Sequence, residues 1–282
     1  MDNPSSKHHF IPEFYQKGFY SNDGKLFTYK KDYHTIKSRA PAQILYELDL
    51  HTIALGKEKT LAIENFYSQL EGKFTECRDL IKEHSQDVDL MSELMSDPTF
   101  MKIAKYMVAT QFWRTPCKRD LAVEFTPRLT DLYDQATNEM KAVLRYDRML
   151  IKYLTKRAHK DHAVKFIQFI LLPLITFDLS EKSDTIYLFR APTNQAFVSS
   201  DRPVSFDSHE KLFSFKSFCF PFSKELLLFG SENDKAFQLS MEKINKLIAK
   251  RADKIVIAAS KNQLEEIRAV IIQTRNKPGQ MT

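Results

Sequence analysis

The clearest signal in the chain is the spacing of apolar residues in its middle third. Residues 58–84 (EKTLAIENFYSQLEGKFTECRDLIKEH) place apolar side chains at steps of three to five residues, at Leu61, Phe66, Leu70, Phe74, Cys77 and Ile81. This spacing predicts a helix with one buried face. Asp97 followed by Pro98 is typical of a helix start, and this second helix is predicted to stop before Pro116. Further helical patterns cover residues 118–157 and 160–177.

Short β-rich runs flank this helical centre. Residues 25–30 follow a turn signal, whereas residues 41–57 favour no single structure. After residue 180, the runs 185–190, 195–199, 217–220 and 225–229 predict strands, and a strand at 254–259 lies between helices at 240–251 and 261–272. We therefore predict an α+β fold. Its centre, residues 58–177, is predominantly helical, and short strands from the N-terminal region and the C-terminal third (residues 180–260) form a small sheet. No segment resembles a flexible linker, so residues 1–282 are predicted to form a single integrated domain.

Composition narrows the class of protein. The chain has 282 residues, a formal net charge of +6 and only 6 glycines, and it contains no glycine-rich nucleotide loop. Its 3 cysteines are widely spaced, which favours a reducing, cytoplasmic location over a disulfide framework. The most apolar run, residues 166–177, is shorter than a membrane span. We expect no membrane association and no nucleotide or haem cofactor. The positive charge permits a nucleic acid or nucleotide partner without requiring one, and the oligomeric state stays open.

The densest group of chemically capable residues lies at residues 7–15 (KHHFIPEFY). His8 and His9 are adjacent imidazoles, and an imidazole can act as a base or as a metal ligand near neutral pH. The apolar stretch that follows them should pack and fix them in place, although a flexible, exposed pair is the alternative. Residues 156–165 (KRAHKDHAVK) carry two further histidines in a strongly charged stretch, which we interpret as a solvated helix start.

Three further positions carry candidate chemistry. Glu64 and Glu71 are seven residues apart and share a helix face, where they could hold a divalent metal or lie on a solvated surface. Gln111 and Arg114 are one turn apart, and Arg114 is suited either to binding phosphate or to closing a buried ion pair.

The third position is the segment SSDRPV, which follows a predicted strand. There Ser200 and Asp201 precede Pro203 in a stiff turn, so Asp201 either contributes to a site or caps backbone amides.

Several segments occur in an order that resembles a known family. They are KHHFIPEFYQKGF, GKLFTYKKD, IENFYSQLE, QFWRTPCKRD, QAFVSSDRPVSF, CFPFSKELLLF and INKLIAKRADKIVIAA. Together they resemble the domain-of-unknown-function family 4238 over nearly the whole chain, with Gln16 and Ser199 as departures. The resemblance implies a shared site that contains His9, Pro12, Tyr15, Glu64, Glu71, Arg114, Ser200, Asp201 and Pro203. It leaves open whether His8 or His9 has the family role, and it implies no reaction.

Our leading hypothesis is a phosphodiester hydrolase, a metal-dependent nuclease of the bacterial conflict or defence type. His9 or His8 would be a base or ligand, Arg114 a phosphate clamp, and Ser200 a further catalytic group. Mg²⁺ or Mn²⁺ would bind to Glu64, Glu71 and Asp201, with Pro12, Tyr15, Gln111 and Pro203 as structural support. One alternative is a non-catalytic module that binds a nucleotide or nucleic acid. A second is a polar network with a purely structural role.

Overall fold

The computed structural model describes residues 6–84, 86–145, 147–180, 185–232 and 240–275. Within these residues the chain divides into two compact units, and each contains segments that are distant in sequence. The first unit consists of residues 6–10 and 47–180, and the second consists of residues 11–46 and 185–275.

The strands of the described residues are short, between two and six residues long. In chain order they are β1 (Lys7–His9), β2 (Phe27–Lys30), β3 (Thr35–Ser38), β4 (Tyr46–Leu48), β5 (Ile53–Leu55), β6 (Glu58–Thr60), β7 (Ile186–Arg190), β8 (Ser199–Ser200), β9 (Ser205–Phe206), β10 (Ser217–Pro221), β11 (Leu226–Ser231) and β12 (Ile255–Ala258).

The helices dominate the middle of the chain. In chain order they are α1 (Glu13–Lys17), α2 (Ala62–His84), α3 (Val88–Ser96), α4 (Pro98–Arg114), α5 (Arg119–Phe125), α6 (Leu129–Gln135), α7 (Asn138–Val143), α8 (Arg148–Lys156), α9 (Asp161–Phe166), α10 (Leu172–Ile175), α11 (His209–Phe213), α12 (Met241–Arg251) and α13 (Lys261–Arg275). A π-helical turn, Ile167–Leu171, links α9 to α10.

The first unit is built around α2 and α4. Asp97 caps α4 by accepting a hydrogen bond from the Phe100 amide, and Pro98 is the first helical residue, which confirms the predicted start. Helix α2 begins at Ala62 rather than at residue 58, because residues 58–60 pair with β5 as strand β6.

The predicted buried face of α2 is correct only toward its end. Phe74, Cys77 and Ile81 are buried, as the apolar spacing predicts. In the first half of the helix, Ile63 and Tyr67 are the buried residues, and they form a core cluster with Ile53 and Phe169. Leu61, Phe66 and Leu70 are only partly buried. This rotated first half places the face that carries Glu64, Tyr67 and Glu71 toward the polar site described below.

The second unit contains two antiparallel four-stranded sheets. One has the order β3-β2-β12-β8 and the other β7-β11-β10-β9. In the first sheet, Val256 of β12 lies between Tyr29 of β2 and Ser200 of β8. Residues from β2, β11, β12, α12 and α13 together form one large core cluster. Strands from the N-terminal region and from the C-terminal third therefore share a sheet, as predicted.

The predicted α+β class is confirmed, since a helical centre is combined with small antiparallel sheets. The predicted strand at 195–199 is wrong in its extent, because only Ser199–Ser200 forms strand β8. The single integrated domain stays a prediction. Among the described residues, no helix combines the length and the apolarity needed to cross a membrane.

Candidate metal centre

Three side chains of the first unit bring metal-ligating atoms together. His8, His51 and Glu64 each offer one ligand atom, and these atoms lie within 4.8 Å of one another. His8 is 1% exposed, His51 is 0% exposed and the Glu64 side chain is 31% exposed. The two imidazole rings are stacked, with centroids 5.3 Å apart and planes 6° from parallel. Two imidazoles and one carboxylate form a donor set typical of transition-metal sites.

His8 reaches this cluster because it lies in the middle of strand β1. Successive side chains of a strand point to opposite faces. His8 is accordingly buried, whereas Lys7 is exposed and His9 is half-buried. The structure places His8, and not His9, in this cluster of ligand atoms, and the catalytic role assigned to His9 stays a prediction.

A tight turn presents His51 to His8. Asp49 adopts a left-handed backbone conformation with φ of 53°, and its carbonyl accepts a hydrogen bond from the Thr52 amide. The Lys165 ammonium donates to the carbonyls of both Asp49 and Thr52, each at 2.9 Å. These contacts hold the turn in one conformation. The position of His51 therefore depends on Lys165, a distant residue whose contact the sequence pattern of residues 41–57 does not predict.

The hydrogen bonds define which ring nitrogens are occupied. The His51 amide donates to Nδ1 of His8 at 2.9 Å, so the neutral His8 ring carries its proton on Nε2. Nδ1 of His51 donates to Oε2 of Glu64 at 2.6 Å, which leaves the lone pair of His51 on Nε2. Both Nε2 atoms are buried and have no hydrogen-bond partner among the described residues. A buried polar atom without a partner costs about 1–3 kcal/mol, so both Nε2 atoms have the capacity to bind a further group.

The protonation states follow from burial and from the neighbouring charges. Burial lowers the pKa of the His51 imidazole to about 3, although the hydrogen bond to Glu64 opposes this shift. Burial alone would raise the pKa of Glu64, but the hydrogen bond from His51 and the charge of Arg114 outweigh it and lower the pKa. The cluster at neutral pH therefore combines a neutral His51 with an ionised Glu64.

The lowered pKa of His51 predicts a loss of stability in mild acid. The folded-state pKa is about 3, whereas the unfolded value is about 6.5. Between these values the unfolded chain binds one more proton, so stability falls as the pH falls. From pH 7.5 to pH 5 we expect a loss of about 2 kcal/mol of unfolding free energy from this residue in the metal-free protein.

Urea denaturation in EDTA at several pH values would measure this loss. The control is His51→Gln, which keeps an N–H donor for Glu64 but has no titrating ring. Its stability should change less between pH 7.5 and pH 5 than that of the wild type. Equal changes in the two proteins would show that His51 is not a buried neutral imidazole.

A second polar pair lies beside this cluster. Arg114 is 2% exposed, and its Nη1 donates to Oε1 of Glu71 at 2.6 Å. Its guanidinium also lies 4.2 Å from the centroid of the Tyr67 ring. The same ring packs against the His51 ring at an angle of 71°, with centroids 5.0 Å apart. Glu64, Tyr67 and Glu71, which share one face of α2, thus connect the imidazole cluster to Arg114.

Arg114 retains unsatisfied hydrogen-bonding capacity. Its Nε is buried and has no partner among the described residues. Glu71 is already paired with the guanidinium of Arg114. This contact matches the alternative in which Arg114 closes a buried ion pair better than it matches the predicted role of Glu71 as a metal ligand. Gln111, one turn earlier on α4, donates to the Phe10 carbonyl at 2.9 Å and so braces the chain directly after β1, in keeping with a supporting role.

Asp201 belongs to the second unit and has a different environment. Its carboxylate accepts hydrogen bonds from the amides of Asp253, Lys254 and Ile255, at 2.9, 2.6 and 2.9 Å. Burial raises the pKa of Asp201, and the three amide hydrogen bonds oppose this rise. The carboxylate therefore anchors the start of β12, and we leave Asp201 out of the proposed metal site.

The other predicted residues of the second unit also make structural contacts. Ser200 is fully buried and its hydroxyl accepts a hydrogen bond from the Arg202 amide, which stabilises the turn that leads to the buried Pro203. The Tyr15 hydroxyl donates to the Pro221 carbonyl at 2.6 Å and lies 2.7 Å from Oγ of Ser199. Pro12 precedes helix α1, and its carbonyl accepts from the Gln16 amide. A catalytic role for Ser200 stays a prediction.

The molecule is thus an α+β protein whose first unit carries a buried cluster of two histidines and one glutamate beside an arginine. A family model, Protein of unknown function (DUF4238), matches residues 7–262, so the chain belongs to this family, as the sequence motifs suggest. No curated protein and no solved structure matches the chain.

Proposed function

We propose that this protein is a metal-dependent phosphodiester hydrolase whose metal ion binds to His8, His51 and Glu64. One observation carries the proposal. Two buried imidazoles, each with an unpartnered Nε2 atom, lie next to a carboxylate, and the three ligand atoms are within 4.8 Å of one another. A bound cation would give a partner to the buried lone pair on Nε2 of His51, and also to His8 once the proton of its ring has moved or its Nδ1 has been released.

Metal binding requires a local rearrangement of the three side chains. His51 already has its lone pair on Nε2, but Glu64 accepts from Nδ1 on the opposite side of that ring, so the carboxylate must release Nδ1 before it can bind the same ion. His8 binds the ion either through Nε2, after its proton moves to Nδ1, or through Nδ1 itself, and in both cases Nδ1 no longer accepts from the His51 amide. Each broken hydrogen bond costs about 1–3 kcal/mol, which is small beside the roughly 10–16 kcal/mol of structural zinc sites.

The donor set also indicates the class of metal. Imidazole nitrogen suits Zn²⁺ and Fe²⁺, and Mn²⁺ binds to mixed nitrogen and oxygen sites more weakly, whereas Mg²⁺ prefers oxygen ligands and retains its waters. Of the two ions expected from the sequence, Mg²⁺ and Mn²⁺, the proposal favours Mn²⁺, and it includes Zn²⁺ as a further candidate for the bound metal. Such an ion lowers the pKa of a bound water toward neutrality.

The surroundings favour an anionic substrate. Arg114 has a positive charge that acts on both His51 and Glu64, and its Nε–H has no partner among the described residues. A guanidinium can bind phosphate oxygens and can stabilise negative charge that develops during phosphoryl transfer. The net charge of +6 also favours polyanionic substrates. The phosphodiester backbone of a nucleic acid provides both phosphate oxygens for Arg114 and a polyanionic chain.

The test is cleavage of RNA, DNA and a chromogenic phosphodiester by the purified full chain. Activity should disappear in EDTA and return with Mn²⁺ or Zn²⁺ more readily than with Mg²⁺. His8→Gln should lose at least about 100-fold in rate, because removal of one ligand disrupts the metal site. The matched control is His84→Gln, which changes a histidine at the end of α2. Absence of cleavage with every metal, or equal rates for His8→Gln and the control, would refute the proposal.

A structural network is the second candidate, and specific contacts favour it. Glu64 is paired with His51, and Glu71 is paired with Arg114. In that case His8→Gln and Glu71→Gln would lower the unfolding free energy without any change in metal binding, because neither side chain would contact a ligand. Calorimetric titration with Mn²⁺ separates the two candidates, since only the metal centre predicts heat from one binding event per chain.

A further inference from the structure

The positive charge of this protein is concentrated in one short part of the first unit. Residues 141–165 contain eight Lys or Arg residues and two Asp residues, a net charge of +6 that equals the formal net charge of the whole chain. This segment includes α8 and α9 and most of the stretch KRAHKDHAVK. We propose that the outer face of α8 binds single-stranded nucleic acid. We name it the α8 face and define it as Met149, Lys152, Tyr153, Lys156 and Arg157.

Some charges of the segment are already occupied. Arg148 forms a bidentate ion pair with the Asp134 carboxylate, with hydrogen bonds of 2.7 and 2.6 Å. Lys165 donates to two backbone carbonyls of the turn that presents His51. Lys141 donates to the Asp134 carbonyl. These side chains hold elements of the first unit together, so they do not contribute to the proposed surface.

The charges of the α8 face remain available. Lys152, Lys156 and Arg157 are exposed, and they form no ion pair with any residue that the structure describes. The hydrogen bond from Arg148 lowers the pKa of Asp134, and the charge of Lys152 contributes to this shift. Because the Asp134 carboxylate is already paired with Arg148, it does not occupy Lys152. Three free cations within six residues fit a chain of phosphates, because each phosphate contact releases counterions and so adds affinity.

Apolar side chains are interleaved with these cations. Tyr153 is 52% exposed and Met149 is 71% exposed. Positions 149, 152, 153 and 156 share one side of a helix because they follow the spacing i, i+3, i+4 and i+7. The Arg157 guanidinium lies 5.7 Å from the centroid of the Tyr153 ring and so approaches its face. An exposed ring beside cations is the arrangement on which unpaired bases stack while their phosphates are neutralised.

The α8 face fits a nucleic acid better than a lipid surface. A helix that lies in a membrane interface inserts a broad apolar face. In α8 the apolar residues Ile151 and Leu154 are buried within the protein, so they are not available to lipid. The helix has only nine residues, and its outward side offers two apolar side chains among three cations.

As a binding surface, the α8 face is independent of the metal centre, whereas its role in presenting a substrate rests on the proposed hydrolase function. The experiment therefore measures binding in EDTA, where the proposed reaction does not run. Fluorescence anisotropy of labelled single-stranded RNA, single-stranded DNA and a DNA duplex would give the dissociation constants over a series of salt concentrations. Failure of cleavage would leave this result unaffected.

Two variants and one matched control test the surface. Lys152→Glu combined with Lys156→Glu should raise the dissociation constant at least about tenfold and reduce the salt slope by about 1.4, as expected for two lost phosphate contacts. Tyr153→Ala should weaken single-strand binding at least about fivefold with an unchanged salt slope, because it removes stacking alone. The control, Lys243→Glu combined with Lys250→Glu, makes the same charge change on two exposed lysines of α12 in the second unit.

The outcomes that would overturn the inference are specific. Equal weakening by the α8 pair and the α12 pair would show that binding depends only on net charge. Duplex binding as tight as single-strand binding, together with no effect of Tyr153→Ala, would exclude base stacking. Binding to vesicles that contain phosphatidylserine, without binding to either single strand, would replace the nucleic acid with a lipid surface. Thermal melting of each variant confirms that the fold persists.

Discussion

Replacing His51 with glutamine should abolish the stabilisation that Mn²⁺ or Zn²⁺ confers on the wild-type protein. A metal present at about 100 times its dissociation constant adds about 2.7 kcal/mol of unfolding free energy. For a chain of this size we expect that gain to raise the melting temperature by roughly 4–5 °C. Glutamine can still donate to Glu64, so the substitution keeps that contact and removes the lone pair of Nε2.

Thermal melting with and without metal, combined with calorimetric titration, measures this effect. We expect His51→Gln to weaken metal binding by at least about 100-fold, in line with the loss of a ligand. His84→Gln removes a histidine from the last turn of α2, outside the cluster, and should bind metal like the wild type. If His51→Gln retained the full metal-induced shift, the centre formed by His8, His51 and Glu64 would be the wrong site.

Replacing Arg114 with methionine should cause the second large effect, a loss of about 3 kcal/mol of unfolding free energy. The Arg114 side chain is 3% exposed and pairs with Glu71, whose side chain is 29% exposed. Methionine fills much of the same volume but leaves the Glu71 carboxylate without its cation. It also removes the guanidinium that lies over the Tyr67 ring. Partial exposure of Glu71 keeps the expected cost at the lower end of the range for buried pairs.

A double-mutant cycle in urea would isolate the pair. Arg114→Met combined with Glu71→Gln should be less destabilised than the sum of the single variants, with a coupling above about 1 kcal/mol. The exposed pair of Lys73 and Glu76 on the same helix provides the control, because both side chains are 64% exposed. Lys73→Met should cost less than about 0.5 kcal/mol. If Arg114→Met cost no more than Lys73→Met, Arg114 would not stabilise the core of the first unit.

The metal centre and the α8 face belong to the same compact unit, yet different observations support them. The first rests on buried atoms without partners, and the second rests on exposed charges without partners. A hydrolase that acts on single-stranded nucleic acid would use both. A protein that binds nucleic acid in EDTA and does not cleave it with any metal would retain only the α8 face.

Local patterns predicted the secondary structure well where one physical rule dominated. The start of α4 follows from an acidic cap and a proline, and the C-terminal helices and strands follow from apolar spacing. The first half of α2 shows the limit of this approach. Phe66 and Leu70 follow the predicted apolar stripe, but Ile63 and Tyr67 are the residues that become buried, because the core with Ile53 and Phe169 fixes the rotation of the helix.

The candidate site shows the same division more sharply. The sequence motifs pointed to Glu64, Glu71 and Arg114, and the structure brings all three to one region of the first unit through Tyr67. The choice of His8 over His9 depended on the alternation of strand β1, which a sequence of three residues cannot reveal. His51 was missed, since it lies in a segment without a periodic pattern, and its only sequence signal is a histidine thirteen residues before Glu64.

The sequence by itself determined the α+β class, the family and the residue types available for chemistry, because these depend on local spacing and on motifs. Only the tertiary structure decided which polar residues share a site. Hydrogen bonds between separate segments assign Glu64 to His51, Glu71 to Arg114 and Asp201 to the amides at the start of β12. Burial then leaves the Nε2 atoms of His8 and His51 without partners, and burial is a property of the packed chain that no local pattern contains.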